Sequence, residues 1–496
     1  MRIVKDNYKR DLVGVLLSNY VSQVFSIVVQ IVLMPLYINY YGFEGFGLVT
    51  FLYALLASLD LGLGAVVNRV IADASCGTKT LLRKSIQTYE TTYLVLALLL
   101  LISANYLSEN LAYFWLKIDG YQPDMVENII FWGLMMLSVR WPLICFQNMF
   151  RGLEKHHKNN LIIIITTTFR GIAAFAVMKA GFGLADVFIA LFFIGCIELI
   201  IYYIALHQGT YIGYKIGWHR SVFLDNFSFA WRQWIASIAA ILLKQLDRFM
   251  LGILVSVEAV GIYGVAHTFV QGIPLIVMPV FNAIYPRLTK LFTLKKYDEI
   301  KDILFWATRG LMLLVVPVCM ILIYSGSDIA AWLISTFDHN EEIDYILKLL
   351  VMAAMINAPM QLQLALALAS SRSYIPMYTN LIAVGLLVPA MYICINEFGL
   401  YGAGVAWLLF NIAYFAIVPV FVMGEFENMS YFRWVFIENL FVIIVAFLLF
   451  AGINWILNDV ELNVIHLSIL QLVVFGMFGF YWMNQYRNDV IHRDDK

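Results

Sequence analysis

Long apolar runs separated by short polar clusters fill this chain, and fourteen of them approach the roughly 20 residues an α-helix needs to cross a bilayer core. They lie at about 12–34, 46–68, 86–106, 128–149, 159–178, 187–206 and 228–250, then 259–284, 303–325, 343–369, 375–395, 400–422, 434–456 and 464–484. The stretches between them are too short for a folded soluble domain, which excludes a fused nucleotide-binding engine. The pattern predicts an all-α, polytopic membrane protein of about fourteen transmembrane helices.

Composition agrees: 62% hydrophobic and 13% charged residues do not make a water-facing globular surface. A mean hydropathy of +0.81 says the same. Loop charge gives an expected orientation, because Lys and Arg accumulate on the cytoplasmic side. With the N-terminus inside, 23 loop and terminal cations fall on that side and only Lys117 and Lys179 on the other. Both termini are therefore expected in the cytoplasm. The basic start resembles a signal peptide's, but the apolar run behind it is too long and lacks a small-residue cleavage site, so it reads as an uncleaved first span. The five cysteines stand singly, without metal or disulfide spacing, and read as packing residues. His156 and His157 lie in a basic loop and carry no assigned chemistry; no metal site and no catalytic residue is expected.

The chain repeats itself. Glu44-Gly45-Phe46-Gly47 aligns with Glu258-Ala259-Val260-Gly261 at an offset of 214, which also places Asn68 on Asn282. Gly183-Leu184 falls near Gly399-Leu400 at an offset of 216. Six spans are thus repeated as six more in the same orientation, a parallel repeat of the kind that builds transporters with a site between two halves. The expected organisation is an N-terminal six-helix lobe at 1–206, a cytoplasmic linker at 207–227 and a second six-helix lobe at 228–422 around a central cavity. Residues 423–496 hold two additional spans and a cytoplasmic tail.

Polar residues inside the spans carry the candidate chemistry. Asn19, Gln23, Ser26 and Gln30 share one face of segment 1, and the 214 offset lays Asn19 on Gln233, Gln23 on Ser237 and Gln30 on Lys244. Two repeat-related helices lining one cavity would explain that, as would hydrogen bonding between packed helices. Seven cations remain in or near the spans: Arg140, Arg170, Arg232, Lys244, Arg248, Arg309 and Lys348. Arg232, Arg248, Arg309 and Lys348 lie near predicted helix ends, and for Arg309 and Lys348 the favoured expectation is that they snorkel to the headgroups. Arg140 and Arg170 sit mid-segment, where facing lipid would cost at least about 2.5–3.5 kcal/mol, so they must meet water or a partner. Asp60, Glu90, Glu198 and Asp247 are the available acids, the last three residues from Lys244. They suit charge pairing or a coupling-ion cycle. Seven cations against four acids leave a positive interior, and the planar guanidinium fork fits phosphate oxygens, so the reading is a transporter of something anionic.

Prolines at 142, 274, 279, 317, 359 and 389 fall inside segments, where they kink or break a helix. The basic stretch Tyr285–Lys301 reads as a surface-lying linker on anionic headgroups.

Short motifs add a resemblance. Pro35-Leu36-Tyr37, Tyr41-Gly42-Phe43-Glu44-Gly45-Phe46-Gly47, Leu59-Asp60-Leu61-Gly62-Leu63-Gly64 and Asn68-Arg69 open the series. Arg151-Gly152-Leu153-Glu154 with Asn160, Asp247-Arg248 with Gly261-Ile262-Tyr263, Tyr285-Pro286 and Phe398-Gly399-Leu400-Tyr401-Gly402-Ala403 continue it over some 400 residues. In order and spacing the chain resembles the Wzx-type polysaccharide flippases of the multidrug/oligosaccharidyl-lipid/polysaccharide exporter superfamily. The resemblance implies two lobes around a cavity open alternately to each side. It implies as cargo an undecaprenyl-pyrophosphate-linked oligosaccharide, moved to the periplasmic leaflet of a bacterial inner membrane for lipopolysaccharide or other surface polysaccharide. On that view Arg140, Arg170, Arg232 and Lys244 contact the cargo, Arg69 stands at the cytoplasmic mouth, and Asn19, Gln23 and Gln30 meet sugar hydroxyls.

Two other classes compete. A multidrug exporter of the same superfamily would share the fold, but commonly binds cations with carboxylates, and segment 1 has no acid. A membrane polymerase or glycosyltransferase generally needs a substantial external loop or acidic catalytic residues, whereas the first external loop offers only Glu44. The expectation is a transporter rather than an enzyme, with membrane lipids and polysaccharide assembly proteins as further partners and no nucleic acid. No GxxxxGK[ST] phosphate loop is present. No cofactor is expected beyond a coupling ion, proton or sodium, with Asp60, Glu90 and Glu198 as the acids able to titrate.

Overall fold

A computed structural model describes residues 2–59, 62–115, 121–210, 217–334, 341–370, 372, 374–424, 426, 429–457 and 464–494. All regular structure among them is helical, as the apolar periodicity predicts. In chain order the helices are α1 (Arg2–Leu59), α2 (Leu63–Ser75), α3 (Lys79–Asn110), α4 (Pro123–Gly152), α5 (His156–Lys179), α6 (Leu184–Thr210), α7 (Arg220–Leu254), α8 (Val257–Val270) and α9 (Ile273–Thr293). Then follow α10 (Tyr297–Leu333), α11 (Glu341–Asn357), α12 (Met360–Ala369), α13 (Tyr374–Phe398), α14 (Leu400–Met423), α15 (Phe441–Ile456) and α16 (Val464–Asp494), with a π-helical stretch at Arg433–Leu440 leading into α15.

Every predicted segment has a helical counterpart. Eleven helices among the described residues are long and apolar enough to cross a membrane, or up to twelve if the α8–α9 pair, bent by 42°, is one span. That number is below fourteen partly because α1 counts once while covering all of segment 1 and most of segment 2. Gly42 divides it, with φ 71 and ψ 179, a conformation open to a residue without Cβ. The break is pinned from outside: Tyr41 donates to the Phe182 carbonyl at 2.9 Å, and Tyr121 donates to the Tyr41 carbonyl at 2.9 Å. Partial burial, and next to it the Glu44 carboxylate, hold the Tyr121 phenol above its ordinary pKa, so it remains a donor at neutral pH. Segment 7 corresponds to α7. Segments 8 and 10 are each broken, and Pro274 and Pro359 stand at those breaks; Pro142, Pro279, Pro317 and Pro389 sit inside continuous helices.

Contacts divide the chain into two compact units, Met1–Gly264 and Val265–Lys496. Within the first, α4 is the central helix: 72% of its most apolar window is buried, against 17% for those of α3 and α5. It packs against α2, α3 and α6, and Val67, Ile71, Tyr93, Phe146, Phe150, Tyr202 and Leu206 fill the space among them.

The second half of α1 meets α8 at residues that the repeat makes equivalent. A Cβ on Gly47 would lie 2.0 Å from the Val257 carbonyl oxygen, and one on Gly261 would lie 1.9 Å from that of Phe43. A Cβ on Gly264 would fall 2.8 Å from Thr50 Oγ1. Phe43 and Val257, Gly47 and Gly261, and Thr50 and Gly264 are each 214 apart, so this crossing is a local two-fold between the repeats. Small residues permit the backbone-to-backbone approach, the usual basis of close helix contact in a membrane.

In the second unit, α10 packs against α9, α11, α15 and α16, and α14 against α11 and α13. Arg309 is not a snorkelling residue. Its Nε donates to Glu438 Oε2 at 2.8 Å and its Nη2 to Glu438 Oε1 at 3.0 Å, with the two side chains 4% and 0% exposed. The Trp482 ring lies 4.1 Å from the guanidinium carbon, and Arg433 Nε approaches the same carboxylate at 3.5 Å. The reason is length: α10 starts at Tyr297 and extends to Leu333, so Arg309 is well inside the helix rather than near an end. Lys348 pairs with Asp344 one turn away and remains partly exposed. The basic stretch after Tyr285 is not an irregular linker. It is the end of α9, with Leu288 and Leu291 buried, followed by a tight turn at Lys295 (φ 56); Arg287, Lys290, Lys295 and Lys296 are exposed.

Two tests follow from this packing. Gly47→Val and Gly261→Val should each sharply lower the yield of folded protein in detergent, while Gly385→Ala, with nothing within 4 Å of its new Cβ, should behave as wild type. Arg309→Met should destabilise by about 3–5 kcal/mol because it strands a buried carboxylate, and adding Glu438→Leu should restore much of the thermal stability.

Candidate functional site

Segments 4, 5 and 6 bring together the mid-membrane charges of the first unit. Arg170 on α5 donates through Nη1 to Glu198 Oε2 on α6 at 2.6 Å and through Nη2 to Thr167 Oγ1 at 2.8 Å. The other Glu198 oxygen accepts from Thr166 Oγ1 at 3.0 Å. The Glu198 side chain is 1% exposed and that of Arg170 is 15% exposed. Thr166, Thr167 and Arg170 occupy neighbouring turns of α5, so one face of that helix supplies a charge-assisted cradle for a single carboxylate. One turn along α6 from Glu198, the buried Tyr202 donates to Asn159 Oδ1 at 3.0 Å and extends the polar seam.

Arg140 on α4 is close enough to Arg170 for the two charges to repel, yet its own contact is different in kind. It lies 5.8 Å from the Tyr53 ring centre, a cation–π contact to α1. Among the described residues it has no carboxylate partner, and it is half-buried. The cluster therefore carries two arginines and one glutamate, a net charge of about +1 in a low-dielectric setting where such a charge acts strongly. Tyr53 and the two threonines were not foreseen: a tyrosine or threonine inside an apolar helix gives no signal until its neighbours are known.

The polar face of segment 1 divides. Asn19 Oδ1 accepts from Asn160 Nδ2 at 2.6 Å, and Ser18 and Ser22 bind the same amide at 2.8 and 3.3 Å. This part of the face joins α1 to α5. Gln23 and Gln30 are exposed, as is Lys244 on α7. Asp247 faces a different partner from its neighbour Lys244: it accepts from Tyr263 Oη at 2.5 Å and from the Arg248 backbone at 2.8 Å. Arg248 is buried and donates to Gln245 Oε1 at 2.8 Å. Arg69 is at the surface, 3.7 Å from Asp73 in a pair more than half exposed on both sides, which is worth little. The Arg232 and Gln233 side chains and Asp60 lie outside the described residues.

Glu90 does not reach the arginines. Its Oε1 is 3.0 Å from His207 Nε2, with both side chains buried. Sequence reading had left His207 out, since it closes an apolar helix with no companion within a turn to mark it.

Comparison with known proteins bears on what this arrangement belongs to. A Shigella flexneri protein provisionally named an O-antigen transporter is 25% identical over 390 residues, which cover 74% of this chain and 87% of that protein. Among solved structures, the inward closed conformation of the lipid II flippase MurJ superposes with a TM-score of 0.74 at 13% identity, covering 96% of this chain and 100% of that one. An inward-facing multidrug resistance MATE transporter of the MOP superfamily gives 0.64 at 14% identity over 82% of this chain and 96% of its own. These structural likenesses establish the fold, a multi-pass helical membrane architecture. The family model described as polysaccharide biosynthesis protein matches residues 15–292. That agrees with the Wzx-type resemblance carried by the motifs, and with more than half of its length matched this chain belongs to the polysaccharide biosynthesis protein family.

Proposed function

We propose that this protein flips an undecaprenyl-pyrophosphate-linked oligosaccharide from the cytoplasmic to the periplasmic leaflet of a bacterial inner membrane by alternating access, with both termini in the cytoplasm. The observation that carries the reading is Arg140, a half-buried guanidinium in the most enclosed helix of the first unit, without a carboxylate among the described residues and beside a second arginine already neutralised. An unpaired cation in such a place is costly unless something anionic visits it. A lipid pyrophosphate is that anion, and a guanidinium can grip two of its oxygens at once. The name of the Shigella relative and the fold shared with a lipid II flippase support a lipid-linked sugar as cargo.

On this reading Arg140 is the primary contact and Arg170 holds its place through Glu198. Lys244, Gln23 and Gln30 are exposed to meet phosphate or sugar, Asn19 supports them through Asn160, and Arg232 and Arg69 complete the cationic route. No cofactor is required beyond a coupling ion, and membrane lipids and polysaccharide assembly proteins are the other partners. The shared MATE fold supports an ion-coupled multidrug exporter as the second reading. Net positive charge around Arg140 disfavours the organic cations such exporters commonly carry.

In cells lacking the gene, the lipid-linked oligosaccharide should accumulate on the cytoplasmic face, and wild type but not Arg140→Gln should restore its access to the periplasmic face. Normal transport by Arg140→Gln overturns the site, and periplasmic access without the gene overturns the flippase reading. Stability should separate the two arginines. Arg170→Met leaves Glu198 buried and uncompensated, destabilising by about 3–5 kcal/mol, while Arg140→Gln should unfold in detergent within a degree or two of wild type.

A further inference from the structure

We propose that the second unit carries a subsite for neutral sugar, formed where the break between α11 and α12 meets α14, an inference that rests on the lipid-linked oligosaccharide reading above. Asn357 closes α11, Gln361 lies in the first turn of α12, and Asn411 sits midway along α14. The three amides form a one-way chain inside apolar spans. Gln361 Nε2 donates to Asn357 Oδ1 at 3.5 Å, Asn357 Nδ2 to Asn411 Oδ1 at 2.7 Å, and Asn411 Nδ2 to the Trp407 carbonyl at 2.8 Å. Asn411 is buried, and the inner links are of the kind that join packed helices in a membrane. Gln361 is the open end. It is half-buried, and its one hydrogen bond among the described residues is the long one to Asn357, which leaves its carbonyl oxygen and a second amide hydrogen for a visitor.

The backbone supports the same placement. Pro359 has no N–H to donate, so α11 ends at Asn357 and the helix restarts at Met360. Non-helical backbone at membrane depth is stable only where it is buried in protein or lines a water-filled space. Ala358 and Pro359 are buried, whereas Asn357 and Gln361 on either side of them are half-buried. The side chains that reach outward at the break are therefore the two amides.

Aromatic rings share the face of α14 that holds Asn411. Trp407, Phe410 and Tyr414 flank it at helical spacing. The Trp407 and Phe410 ring centroids lie 5.5 Å apart with an interplanar angle of 9°, and those of Phe410 and Tyr414 lie 5.8 Å apart at 28°. All three rings are half-buried, so a nearly parallel series of ring faces stands beside the amide chain. A pyranose has the matching two-sidedness. Hydroxyls around its edge both donate and accept, as an amide does, and the C–H groups across its face pack on an aromatic ring.

Charge separates this ligand from the others a membrane protein meets. No Asp, Glu, Lys or Arg occurs in 349–371, 374–396 or 400–424, so α11–α12, α13 and α14 offer nothing to a phosphate or an ammonium group around these amides. The nearest charges along α11, Lys348 and Asp344, pair with each other. A lipid tail gains nothing from an amide chain. At the offset of 216, Tyr414 stands where the first unit has Glu198, so the repeat holds a carboxylate and its arginine in one unit and a ring beside amides in the other. A lipid-linked oligosaccharide combines the two chemistries, an anionic linkage and neutral hydroxyl-rich rings.

The test measures equilibrium binding of two radiolabelled lipids to the purified full chain. One is undecaprenyl pyrophosphate; the other is the same lipid carrying the host's own oligosaccharide unit, extracted from cells that lack the gene. Wild type should bind the glycosylated lipid about five- to tenfold more tightly than the bare one, the size of one net hydrogen bond. Gln361→Leu and Trp407→Leu should each bring that ratio to about one, since each removes a sugar contact. Trp407→Phe, which keeps a ring, should hold most of the preference and so separates lost stacking from lost folding. Arg140→Gln should weaken binding of both lipids. A wild-type ratio in Gln361→Leu or Trp407→Leu overturns the subsite, and so does loss of both lipids by these two variants, which would assign the residues to structure. Wild type that binds the two lipids equally overturns the subsite and leaves the flippase reading standing. Wild type that binds neither overturns the flippase reading itself.

Discussion

A charge held away from water needs an opposite charge or a dense set of hydrogen bonds, and that requirement organises the interior of this protein. Arg170 and Glu198 join α5 to α6, Glu90 and His207 join α3 to α6, and Arg309 and Glu438 join α10 to the π-helical approach to α15. Apolar side chains cannot specify such joints by themselves, because lipid tails are as apolar as leucine and compete for the same faces. A buried ion pair contributes little net stability over a well-packed apolar pair, but removing one partner is severely penalised. The pairs therefore act as registers: they penalise each wrong arrangement of helices more than they reward the right one.

Against this background the asymmetry of the repeat becomes informative. The scaffold is duplicated to the level of single glycines, with Gly47 and Gly261 meeting at a crossing that only their lack of Cβ permits. The charges are not duplicated. At the repeat offsets, Arg140 corresponds to Ala354, Arg170 to Val384 or Leu386, and Glu198 to Tyr414. The second half has uncharged side chains at these positions, with the amides of Asn357 and Asn411 meeting at 2.7 Å between α11 and α14, and the second unit's own buried ion pair, Arg309 with Glu438, fastens α10 to the approach to α15. On the proposed reading this divergence suits a one-ended cargo, because a lipid pyrophosphate has one charged group, not two.

The sequence made the spans legible because their lengths are imposed by bilayer thickness, and Pro274 announced a break through backbone chemistry that acts locally. The mid-segment position of Arg140 and Arg170 flagged them for the same reason. Partners were a different matter. Arg170 finds Glu198 at 28 residues' separation and Arg309 finds Glu438 at 129, distances over which no helical period carries information. The polar face of segment 1 shows the limit clearly: periodicity puts Asn19 and Gln23 on one side of α1, yet Asn19 turns to Asn160 while Gln23 stays exposed, and only the position of α5 decides between them. Arg309 was misread through the end of its apolar window, since the real helix runs past it in both directions.

The remaining question about Arg140 is why it stands beside a neutralised arginine and not alone or with a second free one. If the cargo is the proposed lipid pyrophosphate, two unpaired guanidiniums so close would bind it tightly and release it slowly, and would repel each other whenever it is absent. One arginine alone would be free to turn toward lipid headgroups or water. With Glu198 holding Arg170, the three side chains keep a net charge near +1. The Tyr53 ring offers Arg140 a resting contact that a phosphate can outcompete, since a cation–π contact at a partly exposed position is worth about 0.5–1 kcal/mol, below a charge-assisted hydrogen bond. A carrier must both attract its cargo and let it go, and on the proposed reading a weakly occupied arginine next to a firmly occupied one would satisfy both demands.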